Sequence, residues 1–136
     1  ATDACDGLIT GTTTAPATFG QGDFTIVWTF TDSHGNSTTQ NQAVHVHDTL
    51  APVPNAASLP DVIAQCFAAR PAAPTATDAC DGLITATTTA PASFGQGDFT
   101  IALAFTDSHG NSRTQNQAVH VHDTTPPSCE LSGRAR

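Results

Sequence analysis

The sequence has no lysine, methionine or tyrosine, and its cationic side chains other than histidine are four arginines. Against these stand 12 acidic residues, which give a formal net charge of -8 at pH 7. Such a chain is repelled by polyanions, and this argues against nucleic acid and anionic membrane surfaces as partners. Common helix formers such as Lys, Glu, Met and Leu are scarce, whereas Thr is abundant, so the composition favours β structure.

Several functional signatures are also missing. No apolar run approaches the length of a membrane-spanning helix, and no signal peptide is recognisable, so we expect no membrane insertion. The motifs GxSxG and HExxH and the Gly-rich phosphate loops are absent, which predicts that the protein is not an enzyme. The four cysteines form no CxxC pair. We therefore expect disulfides, and with them an extracellular or cell-surface location.

What the sequence does contain is a long internal repeat. Residues 1–49 recur as residues 76–124, at a fixed offset of 75. Only six positions differ between the copies: Gly11/Ala86, Thr18/Ser93, Val27/Ala102, Trp28/Leu103, Thr29/Ala104 and Thr38/Arg113. Repetition of this kind predicts an architecture of tandem modules. Each module is small enough to need a disulfide or a neighbouring module for stability.

Each copy reads as a set of short strands and turns. Residues 24–31 alternate apolar and polar side chains, residues 32–36 form a hairpin connection, and residues 39–47 form the return strand. The pattern predicts an all-β protein of two tandem antiparallel β-sandwich modules with immunoglobulin-like connectivity. The predicted boundaries are a first module at 1–49, a Pro-rich linker at 50–57, a second module at 58–124 and a tail at 125–136.

The chain resembles a known family over nearly its whole length. The residues that carry the resemblance are Asp48 to Pro52, Leu59-Pro60-Asp61-Val62, Cys66, Pro74 to Cys80, Phe99-Thr100-Ile101, Thr106-Asp107 and Gly110-Asn111. They look like the HYR-like and related bacterial immunoglobulin-like repeats of secreted or surface-anchored adhesin-like proteins. The resemblance implies extracellular tandem sandwiches without catalytic residues. It also implies a disulfide between Cys66 and Cys80, which leaves Cys129 for Cys5.

The first module lacks a counterpart of the segment 58–75, and with it a first strand. An unpaired strand edge beside an apolar face favours pairing with another chain. The tail is a possible donor strand through residues 128–132, and a bridge from Cys129 to Cys5 would secure it. Contacts of this kind run head to tail and build filaments when they do not close, so self-assembly into a fibril is the predicted function.

A second interpretation stays open. If the missing strand lies upstream in a longer chain, the modules belong to a long monomeric surface stalk. The function would then be that of an adhesin module that binds a ligand, either a carbohydrate or a receptor.

Three kinds of candidate site remain. Asp48, Asp107 and Asn111 are predicted to hold calcium at the junction of the modules, with turn capping as the alternative. His45 and His47, repeated as His120 and His122, project to one face of a strand, in a geometry that suits Zn or Cu. The alternative is a solvated outer face. Asn36 begins the sequon Asn-Ser-Thr and is a predicted glycosylation site.

Overall fold

The protein is all-β, as the sequence predicts. A computed structural model describes residues 1–127, and within that range it contains twelve strands and no helix. The chain divides into unit 1, Ala1–Asp48, and unit 2, Thr49–Arg136. In the described part of the chain, no helix is long and apolar enough to cross a membrane.

Unit 1 consists of two short strands and one long hairpin. Its strands are β1 Thr2–Asp3, β2 Gly7–Leu8, β3 Gly22–Thr31 and β4 Ser37–Val46. Strands β3 and β4 pair antiparallel over ten residues, from Gly22 opposite Val46 to Thr31 opposite Ser37. The hairpin is therefore a two-stranded sheet, and β1 with β2 makes another.

The turn of this hairpin is built on Asp32. One carboxylate oxygen accepts hydrogen bonds from the backbone N–H of His34 at 2.9 Å and of Asn36 at 2.8 Å. The other accepts the side-chain amide of Asn36 at 2.9 Å. Gly35 takes a φ of 88°, which glycine adopts without strain. The side-chain bond from Asn36 is the main reason why the pKa of Asp32 lies below 3.8.

A pH dependence follows from this turn. A carboxyl whose pKa is lowered by folding stabilises the fold above its unfolded pKa, and that contribution is lost as the pH falls through the folded value. We expect unit 1 to lose stability on acidification below about pH 4. Asn36→Ala is expected to raise the Asp32 pKa towards 3.8 in an NMR titration, whereas the matched variant Asn111→Ala in unit 2 leaves it unchanged. An unaltered Asp32 pKa in Asn36→Ala would contradict this account.

Unit 2 contains the repeated hairpin and additional strands. Its strands are β5 Val53–Pro54, β6 Val62–Ala64, β7 Ala68–Ala69, β8 Thr75–Asp78, β9 Gly82–Thr85, β10 Ser93–Phe94, β11 Gly97–Thr106 and β12 Ser112–Val121. The hairpin of β11 and β12 has the register of its counterpart in unit 1. Here, however, β6 adds a third strand that runs parallel to β12, with Val62 opposite Val119.

Three of the four extra strands of unit 2, β5, β6 and β7, come from residues 50–75, which the sequence contains once, and the fourth, β10, lies within the repeat. Strand β5 pairs with β8, and β7 pairs with β10. Val53 and Pro54 fall in the segment assigned to a linker, so that segment contributes a strand to unit 2. In unit 1 the residues equivalent to β10, Thr18 and Phe19, form no strand because no counterpart of β7 is present among residues 1–48.

The buried core is likewise confined to unit 2 among the described residues. The buried apolar side chains among the described residues all belong to unit 2: Pro52, Ala68, Ala76, Ala86, Phe94, Ile101, Leu103, Phe105, Val119 and Val121. Their repeat positions on the long hairpin of unit 1 are only half-buried: Ile26, Trp28, Phe30, Val44 and Val46. Nearly identical sequences thus differ in burial, since residues 49–75 supply the cover in unit 2.

Candidate functional site

A groove opens on unit 1 where its hairpin carries the aromatic side chains. It has a volume of about 500 Å³ and is lined by Thr10, Gly11, Trp28, Phe30, Gln40, Asn41 and Gln42. Trp28 is the one tryptophan of the chain. The groove therefore combines an apolar wall with three amide side chains that donate and accept hydrogen bonds.

Unit 2 shows what occupies the equivalent place there. The side chain of Gln115 donates to the carbonyl of Ala56 at 2.9 Å, and that of Gln117 donates to the carbonyl of Pro60 at 2.8 Å. Gln117 is buried, with 7% of its surface exposed. These two glutamines are the repeat positions of Gln40 and Gln42. The groove of unit 1 thus corresponds to the place where the segment 56–60 lies in unit 2.

No such segment lies among residues 1–48, and two groove side chains of unit 1 bind each other instead. Gln42 accepts a hydrogen bond from the indole N–H of Trp28 at 2.9 Å, and both side chains remain partly in solvent. A Cβ on Gly11 would lie 2.9 Å from Cε1 of Phe30 and 3.4 Å from Cε3 of Trp28. The closest contact of that Cβ is with Phe30, which recurs as Phe105 in unit 2, and its distance from the Trp28 ring is an ordinary van der Waals contact. Gly11 therefore lets the Phe30 ring lie against the backbone of unit 1.

A second feature lies at the other end of the hairpin, where an aspartate meets two histidines. Asp23 is directly opposite His45 in the ladder, and His47 lies two residues further along the same face. Nδ1 of His45 is 2.6 Å from Oδ1 of Asp23, and Nε2 of His47 is 2.7 Å from the same oxygen. All three side chains are exposed. The two imidazoles lower the pKa of Asp23 through these bonds.

Unit 2 repeats the cluster with an additional carboxylate. Nδ1 of His120 and Nε2 of His122 each lie 2.7 Å from Oδ1 of Asp98. On its far side, Nε2 of His120 is 3.5 Å from Oδ2 of Asp61. The hydrogen bond to Asp98 is the main cause of the raised pKa of His120, and the charge of Asp61 adds to it. The pKa of Asp98 is lowered in turn by the two histidines.

The sequence predicted the paired histidines of each cluster but not the aspartate. The signal was present, since counting back from the hairpin turn places residue 23 opposite residue 45. The groove residues Gly11, Gln40 and Gln42 were also missed. Their role depends on the segment 56–60, which packs against the hairpin in unit 2 and has no counterpart among residues 1–48. Neither copy of the repeat carries that information by itself.

The predicted calcium ligands are divided between the two units. Asp48 belongs to unit 1, and Asp107 and Asn111 belong to unit 2. Within unit 2, Asp107 accepts the backbone N–H of Asn111 at 2.9 Å and its side-chain amide at 2.9 Å. These bonds are those of a capped turn, the alternative that the sequence left open. Calcium binding that spans Asp48 and Asp107 stays a prediction.

The structure does not test the predicted glycosylation and disulfide sites. Asn36 is exposed, and its Nδ2, the atom that would carry a sugar, donates to Asp32. Glycosylation at Asn36 stays a prediction. The structure joins no two of the described cysteines by a disulfide bond, so the pairing of Cys66 with Cys80 also stays a prediction. Cys5 is exposed, and its predicted partner Cys129 lies outside the described residues.

Comparison with known proteins adds no relative. No protein-family model matches the sequence, and no curated protein is significantly similar to it.

Proposed function

We propose that this chain is an extracellular structural protein built of immunoglobulin-like β-sandwich modules, in which residues 128–136 of one copy complete unit 1 of the next. The observation that carries the proposal is the open groove of unit 1. The apolar face of the hairpin is covered in unit 2 by residues 49–75, and in unit 1 it is half-exposed. Burying it removes apolar surface from water, which is the main driving force of association.

The repeat itself suggests the donor. His122-Asp123-Thr124 repeats His47-Asp48-Thr49 at the offset of 75, and Pro127 matches Pro52. By the same offset, residues 128–136 stand at the positions of residues 53–61, although no residue is identical between the two segments. In unit 2 that segment forms β5 and presents the carbonyls that Gln115 and Gln117 bind. The tail thus follows the second copy of the repeat at the spacing at which residues 53–61 follow the first copy.

The charges of the tail and of unit 1 also favour their association. Residues 1–48 contain five aspartates and neither lysine nor arginine, whereas residues 128–136 contain Arg134, Arg136 and a single acid, Glu130. Opposite net charges speed the encounter of two surfaces and help to select the correct partner. A polar groove of amides beside an acidic surface suits a strand that carries arginine at its end.

The proposed contact joins two different surfaces, the tail of one copy and unit 1 of another. Such heterologous contacts generate rings when the rotation closes and filaments when it does not. Cys5 is exposed on unit 1 and Cys129 lies within the donor segment, so an oxidising environment can lock each contact covalently.

The test is a mixed-isotope disulfide experiment. Equal amounts of ¹⁴N and ¹⁵N chains are mixed under reducing conditions, oxidised and digested for mass spectrometry. We expect Cys5–Cys129 peptides in which one half is light and the other heavy, and a ladder on a non-reducing gel. The Cys5→Ser variant is expected to lose the ladder. The double variant Cys66→Ser/Cys80→Ser keeps it, because the bridge predicted there lies within one chain.

Two outcomes would overturn the proposal. Cys5–Cys129 peptides of uniform isotope would show that each tail folds back on its own chain. A chain that stays monomeric, without mixed peptides at any concentration, would instead favour the monomeric stalk that binds a carbohydrate or receptor.

A further inference from the structure

We propose that the two Asp-His-His clusters, Asp23/His45/His47 in unit 1 and Asp98/His120/His122 in unit 2, are binding sites for a divalent transition metal such as Zn²⁺. The inference is independent of the proposed assembly. It rests on clusters that lie on the outer end of each hairpin, away from the groove residues in the register of the strands.

The geometry of each cluster is close to that of a metal site. One donor atom from each of the three residues lies within 4.8 Å of the others. In unit 1 both imidazole nitrogens already point at one oxygen of Asp23. Zinc binds such ligands at about 2.0–2.2 Å, which sets the donors roughly 3.3–3.5 Å apart in a tetrahedral site. Small rotations of exposed side chains suffice for that separation.

The donor chemistry suits zinc or copper. Two imidazoles and one carboxylate are ligands that bind zinc and copper better than they bind calcium or magnesium, because the latter two ions favour oxygen ligands. The strands hold the three residues at fixed positions on adjacent rungs of a ladder, so little backbone entropy is lost on binding. The open fourth position faces solvent and would take water.

The two sites are not equivalent, because Asp61 lies beside unit 2's cluster alone. Its carboxylate faces Nε2 of His120 at 3.5 Å, while Nδ1 of that ring faces Asp98. A carboxylate on the far nitrogen fixes the tautomer and the orientation of a ligating histidine, an effect worth 10- to 100-fold in affinity. Asp61 belongs to the segment 49–75, which has no counterpart among residues 1–48. We therefore infer that unit 2 binds the metal more tightly.

The experiment is a zinc titration by isothermal calorimetry of the whole chain, with its cysteines alkylated so that thiolates cannot contribute. We expect two ions per chain, the tighter about 10-fold stronger. His120→Ala/His122→Ala is expected to remove the tighter site, and His45→Ala/His47→Ala the weaker. Asp61→Asn is expected to weaken the tighter site about 10-fold and to leave the weaker one unchanged.

The matched control is His34→Ala/His109→Ala, which removes two histidines outside the clusters and is expected to keep both sites. The replaced side chains of the clusters are exposed or partly exposed, so circular dichroism is expected to report unchanged folding. Absence of zinc binding, or loss of a site in the control variant alone, would overturn the proposal. Binding of a single ion that responds only to the unit 2 variants would overturn the assignment in unit 1.

Discussion

Phe105→Ala is expected to lower the free energy of unfolding of unit 2 by about 3–5 kcal/mol, the range for deleting a large side chain from a packed core. Phe105 is fully buried, in contact with a cluster that includes Ile101, Leu103 and Val119. The surrounding strands come from both the repeat and the segment 49–75, so the cavity cannot close by local movement of one strand.

The same substitution at the repeat position, Phe30→Ala, is expected to lower the stability of unit 1 by roughly half that amount or less, because only part of the Phe30 surface is removed from water. Native-state hydrogen exchange on the two long hairpins measures both effects in one chain. Equal losses in dilute solution would show that unit 1 has a complete core, and would contradict the account.

A chain that ends at Pro127 is expected to remain monomeric at concentrations at which the full chain assembles. It keeps all twelve described strands but lacks residues 128–136, so the groove of unit 1 is expected to have no occupant. Sedimentation velocity measures the mass of each. Arg134→Glu/Arg136→Glu is expected to weaken assembly, and added salt to weaken that of the full chain, because the acidic unit 1 then attracts the tail less.

Arg113→Glu provides the control for charge, since this arginine is exposed in unit 2 and outside the tail. It is expected to assemble like the unchanged chain. Assembly of the chain that ends at Pro127 would exclude residues 128–136 as the donor.

The long hairpins could be predicted from the sequence because their determinants are local. Alternation over residues 24–31 and the turn chemistry of Asp32 and Gly35 specify strand, turn and register together. The short strands were harder. Thr18-Phe19 and Ser93-Phe94 differ only in that threonine replaces serine, yet only the second pair forms a strand. Its partner β7 lies in the segment 49–75, which has no counterpart among residues 1–48.

The candidate sites also differ in whether local sequence or long-range packing determines them. The position of His45 and His47 on one face follows from strand periodicity, whereas Asp23 enters the cluster through cross-strand pairing 22 residues away. Whether the groove is open depends only on whether a segment distant in sequence packs over the hairpin. Trp28 reads as a core residue in the alternating pattern, and it lies in a groove because nothing among residues 1–48 covers it.

The fluorescence of Trp28, followed over a concentration series, is the most direct test of the claim that another copy fills the groove of unit 1. This single tryptophan borders the groove, so its emission reports on the solvent there. We expect the emission to move to shorter wavelength in step with the rise in mass of the full chain, and to stay constant in the chain that ends at Pro127. Assembly of the full chain without any change in the emission of Trp28 would contradict the account.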